Sequence, residues 1–222
     1  MWGRDRHDDD PERDYETRRA NLVDRLVEAG RITDERTARA LRAVPRHEFV
    51  PQGRRSEAYA DRPLPIGDGQ TISAPHMVGI MTERLDLDPG DRVLEIGTGC
   101  GYHAAVTAEV VGPENVFSVE YSGELADRAR RTLADLGYGA VSVRHGDGHE
   151  GWPEHDPYDA AYLTCAAEEF PTAVVDQVET GGRVLAPIGN RRQTLVLGRK
   201  RADGSLDRER HGGVRFVEMR GG

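Results

Sequence analysis

Lysine, cysteine and aromatic side chains are scarce in this 222-residue chain, and each scarcity removes a class of function. Lys200 is the single lysine, and 39 acidic residues outnumber 30 basic ones to leave a formal charge of -9. Nucleic-acid and anionic-membrane partners are therefore not expected, since both need phosphates neutralised by an excess of basic groups. Cys100 and Cys165 are too few for a disulfide framework and lack the paired spacing of a structural zinc site, which points to a reducing cytoplasm. No apolar segment suited to export opens the chain, and no run approaches the roughly 18 consecutive apolar residues of a membrane span. Aromatic residues make up 6% and apolar residues 37%, yet the length matches a domain of roughly 100–200 residues that can bury a real core. An acid-rich, lysine-poor surface suits solubility at high salt, although codon bias toward arginine would give the same composition.

What is present divides into three parts. Residues 1–14 are charged and without apolar period, and read as a mobile tail. Residues 15–88 read as N-terminal helices and a covering loop. Leu22, Val23, Leu26 and Val27 form one apolar stripe, and a second helix follows with Thr33 as N-cap and Ala38, Leu41 and Val44 as its buried face. Between Pro45 and Pro75, five prolines and the loss of both the helical and the strand period predict an irregular, functionally loaded connection. Helical spacing returns from Met77 to Leu85. Residues 89–222 then alternate between strands (Arg92–Ile96, Asn115–Glu120, Ala140–Arg144, Tyr158–Thr164) and helices (Tyr102–Val111, Glu124–Leu136, Pro171–Val178). That alternation predicts an α/β fold with a doubly wound, mostly parallel sheet forming one structural unit with the N-terminal part. Further strands at Arg183–Pro187, Thr194–Leu197 and Val214–Met219, with a turn at Asp203-Gly204, predict an antiparallel hairpin at the end.

The strongest chemical signal is Val93-Leu94-Glu95-Ile96-Gly97-Thr98-Gly99-Cys100-Gly101-Tyr102, a hydrophobic strand running into three alternate glycines that open a helix. Bare backbone lets a ligand approach closely, and the helix N-terminus offers it unpaired N–H groups. The plain alternative is a glycine-rich turn without a ligand. A dinucleotide fingerprint spaces its glycines differently and rests a pyrophosphate on the helix, which the carboxylate of Glu95 would repel. The sign of that charge favours S-adenosylmethionine, whose ammonium and sulfonium are cationic. Glu120, 19 residues after Gly101 at the end of the next strand, stands where a carboxylate accepts from two ribose hydroxyls, unless it is simply solvated. Asp147-Gly148, after the third strand, is placed for the adenine. The flanking His145-x-Asp147-x-His149 pattern imitates a metal site but has no third ligand at a useful spacing, so no metal is expected and the histidines read as loop residues.

The segment Pro65-Ile66-Gly67-Asp68-Gly69-Gln70-Thr71-Ile72-Ser73-Ala74-Pro75-His76-Met77 resembles the signature of the protein-L-isoaspartate O-methyltransferase family. Ala43–Pro51, Gly181–Gly189 and Val214–Val217 are similar to further family segments, so the resemblance covers about residues 20–219. It implies a Rossmann-like class I methyltransferase core and transfer of a methyl group from S-adenosylmethionine to the α-carboxylate of isoaspartyl residues in damaged proteins. By position it assigns Glu95, Gly97, Gly99, Gly101 and Glu120 to the methionine and ribose portions of the cofactor, and Asp147 and Gly148 to the adenine. Gln70, Thr71, Ile72, Ser73 and His76 match the loop closing over it, with Ser73 at the catalytic position and Thr71 assisting. The chain departs from the family with Glu218-Met219 where Pro-Leu is frequent, and with Leu163-Thr164-Cys165-Ala166 where V-T-A-A is commoner.

The chemistry explains why no general base is apparent, because a carboxylate with an ordinary pKa near 3.5–4 is already ionised at neutral pH. The resulting expectation is a monomeric, cytoplasmic repair enzyme whose activity persists or rises at high salt. Two alternatives stay open at this point. One is another class I methyltransferase acting on RNA or a small molecule, supported only by the Arg191, Arg192, Arg199, Lys200, Arg201 cluster. The other is a non-catalytic protein that binds S-adenosylmethionine.

Overall fold

The computed structural model describes residues 11–222. Most of the expected mobile tail therefore lies outside the described residues. Its last four positions, 11–14, are instead the first turn of helix α1 (Pro11–Glu28), where Glu12 and Asp14 complement the helix dipole. Helix α2 (Glu35–Ala43) is capped by Asp34 rather than Thr33: the Asp34 carboxylate accepts the Thr37 N–H at 2.8 Å. The Thr33 N–H is already committed to Glu83 Oε1, at 2.5 Å.

The stretch expected to be irregular is more ordered. It contains two 3₁₀ turns, Arg46–Phe49 and Gln52–Glu57, and a short antiparallel hairpin of β1 (Leu64–Gly67) and β2 (Gln70–Ile72). Leu64, Ile66 and Ile72 anchor that hairpin in the core. Helix α3 (Pro75–Leu85) follows at once, with proline in its first turn, where no N–H is needed.

The remaining strands form one seven-stranded sheet. In chain order they are β3 (Val93–Ile96), β4 (Val116–Glu120), β5 (Ser142–His145), β6 (Tyr158–Leu163), β7 (Val178–Ile188), β8 (Gln193–Lys200) and β9 (Leu206–Val214), arranged in space as β5-β4-β3-β6-β7-β8-β9. Helices α4 (Tyr102–Val111), α5 (Gly123–Asp135) and α6 (Thr172–Gln177) connect them. The first five strands of the spatial order run parallel, and β8 and β9 return antiparallel. This is the expected doubly wound sheet, whose winding reverses beside β3. Ligands sit in the crevice outside the carboxyl ends of the strands at such a switch point.

Alternation along β3 divides the core. Val93 faces α1–α4 and α5 with Val116, Ala160 and Leu185, whereas Leu94 and Ile96 face the opposite layer with Phe117, Leu163 and Val174 of α6. Glu95 shares the Val93 face and is fully buried there.

The C-terminal region differs from expectation in two places. Strand β7 starts at Val178 and not at Arg183, so Gly181 and Gly182 lie inside it, where the register with β6 jumps from Tyr158↔Val178 to Ala160↔Arg183 and Gly181 turns the bulge at φ 89°. The last strand is Leu206–Val214, not Val214–Met219, and pairs with β8 across the expected Asp203-Gly204 turn. Residues 215–219 instead leave the sheet edge and run back across its carboxyl end. Ala166 N–H donates to the Val217 carbonyl, and Met219 N–H donates to the Ala166 carbonyl, both at 2.8 Å.

Candidate active site

A cleft of about 740 Å³, partly open to solvent, lies over the carboxyl ends of β3, β4 and β6. Its floor is the turn after β3. Gly97 takes φ 97°, and a Cβ there would collide with Thr164 Oγ1, so only glycine fits. The Gly97 N–H donates to the Val119 carbonyl at 2.8 Å, which ties the turn to β4. Gly101, at φ 92°, starts α4 without lining the cleft.

Glu120 ends β4 with its carboxylate held at both oxygens. Oε2 accepts the Gly99 N–H at 2.7 Å and Oε1 accepts the Ser122 N–H at 2.9 Å. Each oxygen keeps further acceptor capacity, and Glu120 lines the cleft. Gly148 lines the adjoining wall, with no room for a side chain against Ile96. Asp147 stands just behind it: Oδ1 accepts the His149 N–H and Oδ2 accepts the Gly222 N–H, each at 2.9 Å, and such bonds hold its pKa below the ordinary value against the opposing effect of burial. His149 and Asp147 pair with each other, and no metal-like grouping with His145 is formed among the described residues.

The hairpin β1–β2 delivers Gln70, Thr71, Ile72 and Ser73 to the opposite wall. The Ser73 backbone is anchored from beneath by Arg46, whose Nη2 donates to the Ser73 carbonyl at 3.0 Å and to the Arg62 carbonyl at 3.1 Å, while Nη1 donates to the Ala58 carbonyl. The hydroxyls of Thr71 and Ser73 make no hydrogen bond within the described residues. Across the mouth, Arg220 pairs with Asp68 at the hairpin tip at 2.7 Å, and Val217 and Met219 add apolar lining.

Four expected residues do not line the cleft: Gly101 and Asp147, placed above, and Glu95 and His76. Glu95 does not line the cleft: its strand position turns it into the layer under α4, where a direct contact with a cationic ligand is closed off. Strand register places Ser118 on one side of it and Tyr162 on the other. The Ser118 hydroxyl donates to Glu95 Oε2 and the Tyr162 hydroxyl donates to Oε1 at 2.9 Å. Burial pushes the Glu95 pKa up to about 8, against the lowering effect of those hydroxyls. His76 is also turned away, with Nδ1 2.8 Å from Asp61 Oδ1 and its backbone N–H donating to the same oxygen.

Thr98, Cys165, His103, Arg220 and the positioning Arg46 were not singled out by sequence. Thr98 joins the cleft to the buried network through a 2.5 Å contact between Thr98 Oγ1 and Ser118 Oγ. Burial pulls the His103 pKa down to about 3 and pushes Cys165 up to about 12, so neither carries charge at neutral pH. Polar residues at matching positions of three adjacent apolar strands (Glu95, Ser118, Tyr162) were the available signal for the network.

Comparison with known proteins agrees with this geometry. The family model described as protein-L-isoaspartate(D-aspartate) O-methyltransferase matches residues 17–222. Protein-L-isoaspartate O-methyltransferase 2 of Archaeoglobus fulgidus is 50% identical over 209 residues, 94% of this chain and 95% of that protein. The Methanopyrus kandleri protein-L-isoaspartate O-methyltransferase is 51% identical over 206 residues, 91% of each chain. Among solved structures, a protein-L-isoaspartate O-methyltransferase superposes with TM-score 0.83 at 36% identity, over 91% of this chain and 66% of that one. A Plasmodium falciparum relative in complex with S-adenosyl-L-homocysteine gives TM-score 0.81 at 25% identity, over 91% of this chain and 98% of that one.

Proposed function

The chain belongs to the protein-L-isoaspartate(D-aspartate) O-methyltransferase family, and from that premise we propose that it methylates the α-carboxylate of L-isoaspartyl residues in damaged proteins, with Ser73 as the group that positions the reacting carboxylate. One observation carries the reading: the Gln70–Ser73 hairpin and the Gly97–Cys100 turn, remote in sequence, face each other across a single cleft.

The cofactor is S-adenosylmethionine, and the residues present fit it. Bare backbone at Gly97 and Gly99 leaves room over the turn, Glu120 would accept from a ribose diol, and Ile96, Val119 and Gly148 line an apolar part of the cleft that would take the adenine. Asp147, behind Gly148, would hold the adenine amino group. When bound, this group supplies an electrophilic methyl on a sulfonium. Glu95 acts from below, its buried carboxyl bracing Ser118 and, through it, Thr98.

The acceptor carboxylate needs no base. Ser73 donates its hydroxyl hydrogen to one carboxylate oxygen without surrendering the proton, and Thr71 stands beside it. The other oxygen is left free for in-line attack, so rate comes from orientation and exclusion of water, effects worth roughly 7–11 kcal/mol in well-oriented systems. The product ester re-forms a succinimide as the neighbouring backbone nitrogen displaces methanol, and part of the succinimide opens to normal aspartate.

The enzyme works as a monomer in a reducing cytoplasm, without nucleic acid. Among the described residues the exposed large apolar side chains are only Val27 and Tyr121, both cysteines are buried free thiols, and the net charge is -9. No helix of the described residues is long and apolar enough to cross a membrane. The deciding experiment is labelled methyl transfer to an isoaspartyl peptide beside its aspartyl twin. Transfer to the first alone is expected; equal transfer to both, or none with cofactor bound, would sink the reading.

A further inference from the structure

Beside the transfer cleft, at the same carboxyl edge of the sheet, lies a second groove lined by Arg191, Arg192 and Arg215. Arg191 and Arg192 sit in the turn between β7 and β8, and Arg215 follows the end of β9, whose last residue Val214 pairs with Gln193. The Gln193 side chain fixes the approach of these two segments. Its Nε2 donates to the Phe216 carbonyl at 3.1 Å, and its Oε1 accepts the Phe216 N–H at 2.6 Å, so the backbone carrying Arg215 is held against the turn.

All three arginines are exposed, and none makes an ion pair among the described residues. Nearby, Arg201 pairs with Asp207, Arg208 with Glu169 and Arg220 with Asp68, and Arg199 donates to the Gly181 carbonyl; none of these lines the groove as Arg191, Arg192 and Arg215 do. On a chain of net charge -9, three unpaired guanidinium groups around one groove reverse the local field. Glu218 is the one carboxylate lining it, and Glu218 also lines the transfer cleft, so the two sites are contiguous.

Resting on the function proposed above, we propose that this groove selects among damaged proteins by charge, its three arginines receiving acidic side chains that flank the isoaspartyl residue. The planar forks of arginine match carboxylates in a bidentate way that a lysine would not. The groove also answers a difficulty set by composition. An acidic enzyme repels acidic substrates at long range, and a cationic patch next to the reacting site cancels that repulsion where the substrate docks.

The test compares two isoaspartyl peptides that differ only in flanking Asp and Glu replaced by Asn and Gln. At low salt the acidic peptide should show about tenfold higher kcat/KM, carried mainly by KM, as expected for a few partly solvated carboxylate–guanidinium contacts. In the R191Q/R192Q/R215Q variant the two peptides should become equal, with the neutral peptide's kcat and the S-adenosylmethionine Kd unchanged. At about 1 M salt, where the Debye length is near 3 Å, the wild-type preference should fade as well. Arg215→Glu, a single surface change that sets two arginines against two glutamates once Glu218 is counted, should abolish most of the preference. No preference in the wild type, or a preference that survives the triple substitution, would overturn the proposal. So would inhibition by a single-stranded RNA that exceeds inhibition by a poly-glutamate peptide, since the groove would then be reading phosphates. Failure of the functional reading itself gives a different result: cofactor binds and neither peptide is methylated.

Discussion

Replacing Arg46 tests whether one buried cation holds the catalytic wall together. Its side chain is 1% exposed, and its guanidinium donates to the carbonyls of Ala58, Arg62 and Ser73, which belong to three separate segments. No carboxylate bonds to it; Tyr102 offers a ring face 5.7 Å away, and burial pulls its pKa down. In Arg46→Met the aliphatic stem is kept and the three carbonyls lose their donor. Each unmet buried acceptor costs about 1–3 kcal/mol, and removing the desolvated charge returns part of that sum. The net loss should be about 3 kcal/mol, a large share of the roughly 5–15 kcal/mol that stabilises an ordinary domain. Arg46→Lys keeps the charge but not the fork, and should fall between the two. Because the Ser73 carbonyl is one of the three anchors, kcat at saturating cofactor should drop by about 100-fold, the usual consequence of moving a positioned group by about 1 Å. Urea unfolding and methyl transfer to an isoaspartyl peptide read the two effects. A Met variant within about 0.5 kcal/mol of the wild type and equally active would refute the anchoring argument.

Ser73→Ala should lower kcat about 100-fold or more, the usual cost of deleting one positioned donor, with little change in S-adenosylmethionine Kd; undiminished turnover removes Ser73 from the reaction. Glu120→Ala deletes the ribose acceptor and frees the Gly99 and Ser122 N–H groups, so cofactor Kd should rise about 30-fold or more by calorimetry, and an unaltered Kd rejects the ribose assignment. The Glu95 carboxyl, raised from 4.5 to about 8, binds a proton more tightly in the folded state than in the unfolded one. Its contribution is complete below pH about 4.5 and disappears as pH rises through about 8. Wild-type stability should therefore fall relative to Glu95→Gln by about 1.4 kcal/mol per pH unit across that window, and parallel stability curves for the two proteins would show that Glu95 is ionised in the fold.

The parts of this molecule that follow a simple period were legible in its sequence. The β3–glycine–α4 unit and the alternation that follows it announced themselves because burial on one face imposes a rhythm, and the Asp203-Gly204 turn did so through its residue types. Strand β9 did not, because Leu206–Val214 is an exposed edge strand whose charges follow no apolar pattern. The apolar residues within 214–219 pointed to a strand, but beyond Val214 they leave the sheet and line the edges of the two grooves. The β1–β2 hairpin was hidden by its prolines and by strands of four and three residues, too short to show alternation. Glu95 was misplaced for a different reason: its charge suggested a ligand, whereas the pleat of β3 sends its side chain into the protein.

The pairing of Arg220 with Asp68 joins residues 152 apart in sequence, and Val217 and Met219 reach the same cleft from the far end of the chain. That separation sets an order of events during synthesis. The glycine turn, Glu120 and the Ser73 hairpin can all take their places while residues 215–220 have yet to be made, but the cleft then lacks one wall. The cofactor site is consequently completed last, after every sheet strand is available. A partly made chain can have most of its core in place and still be unable to enclose its cofactor, so folding competence and enzymatic competence arrive at different times on the ribosome.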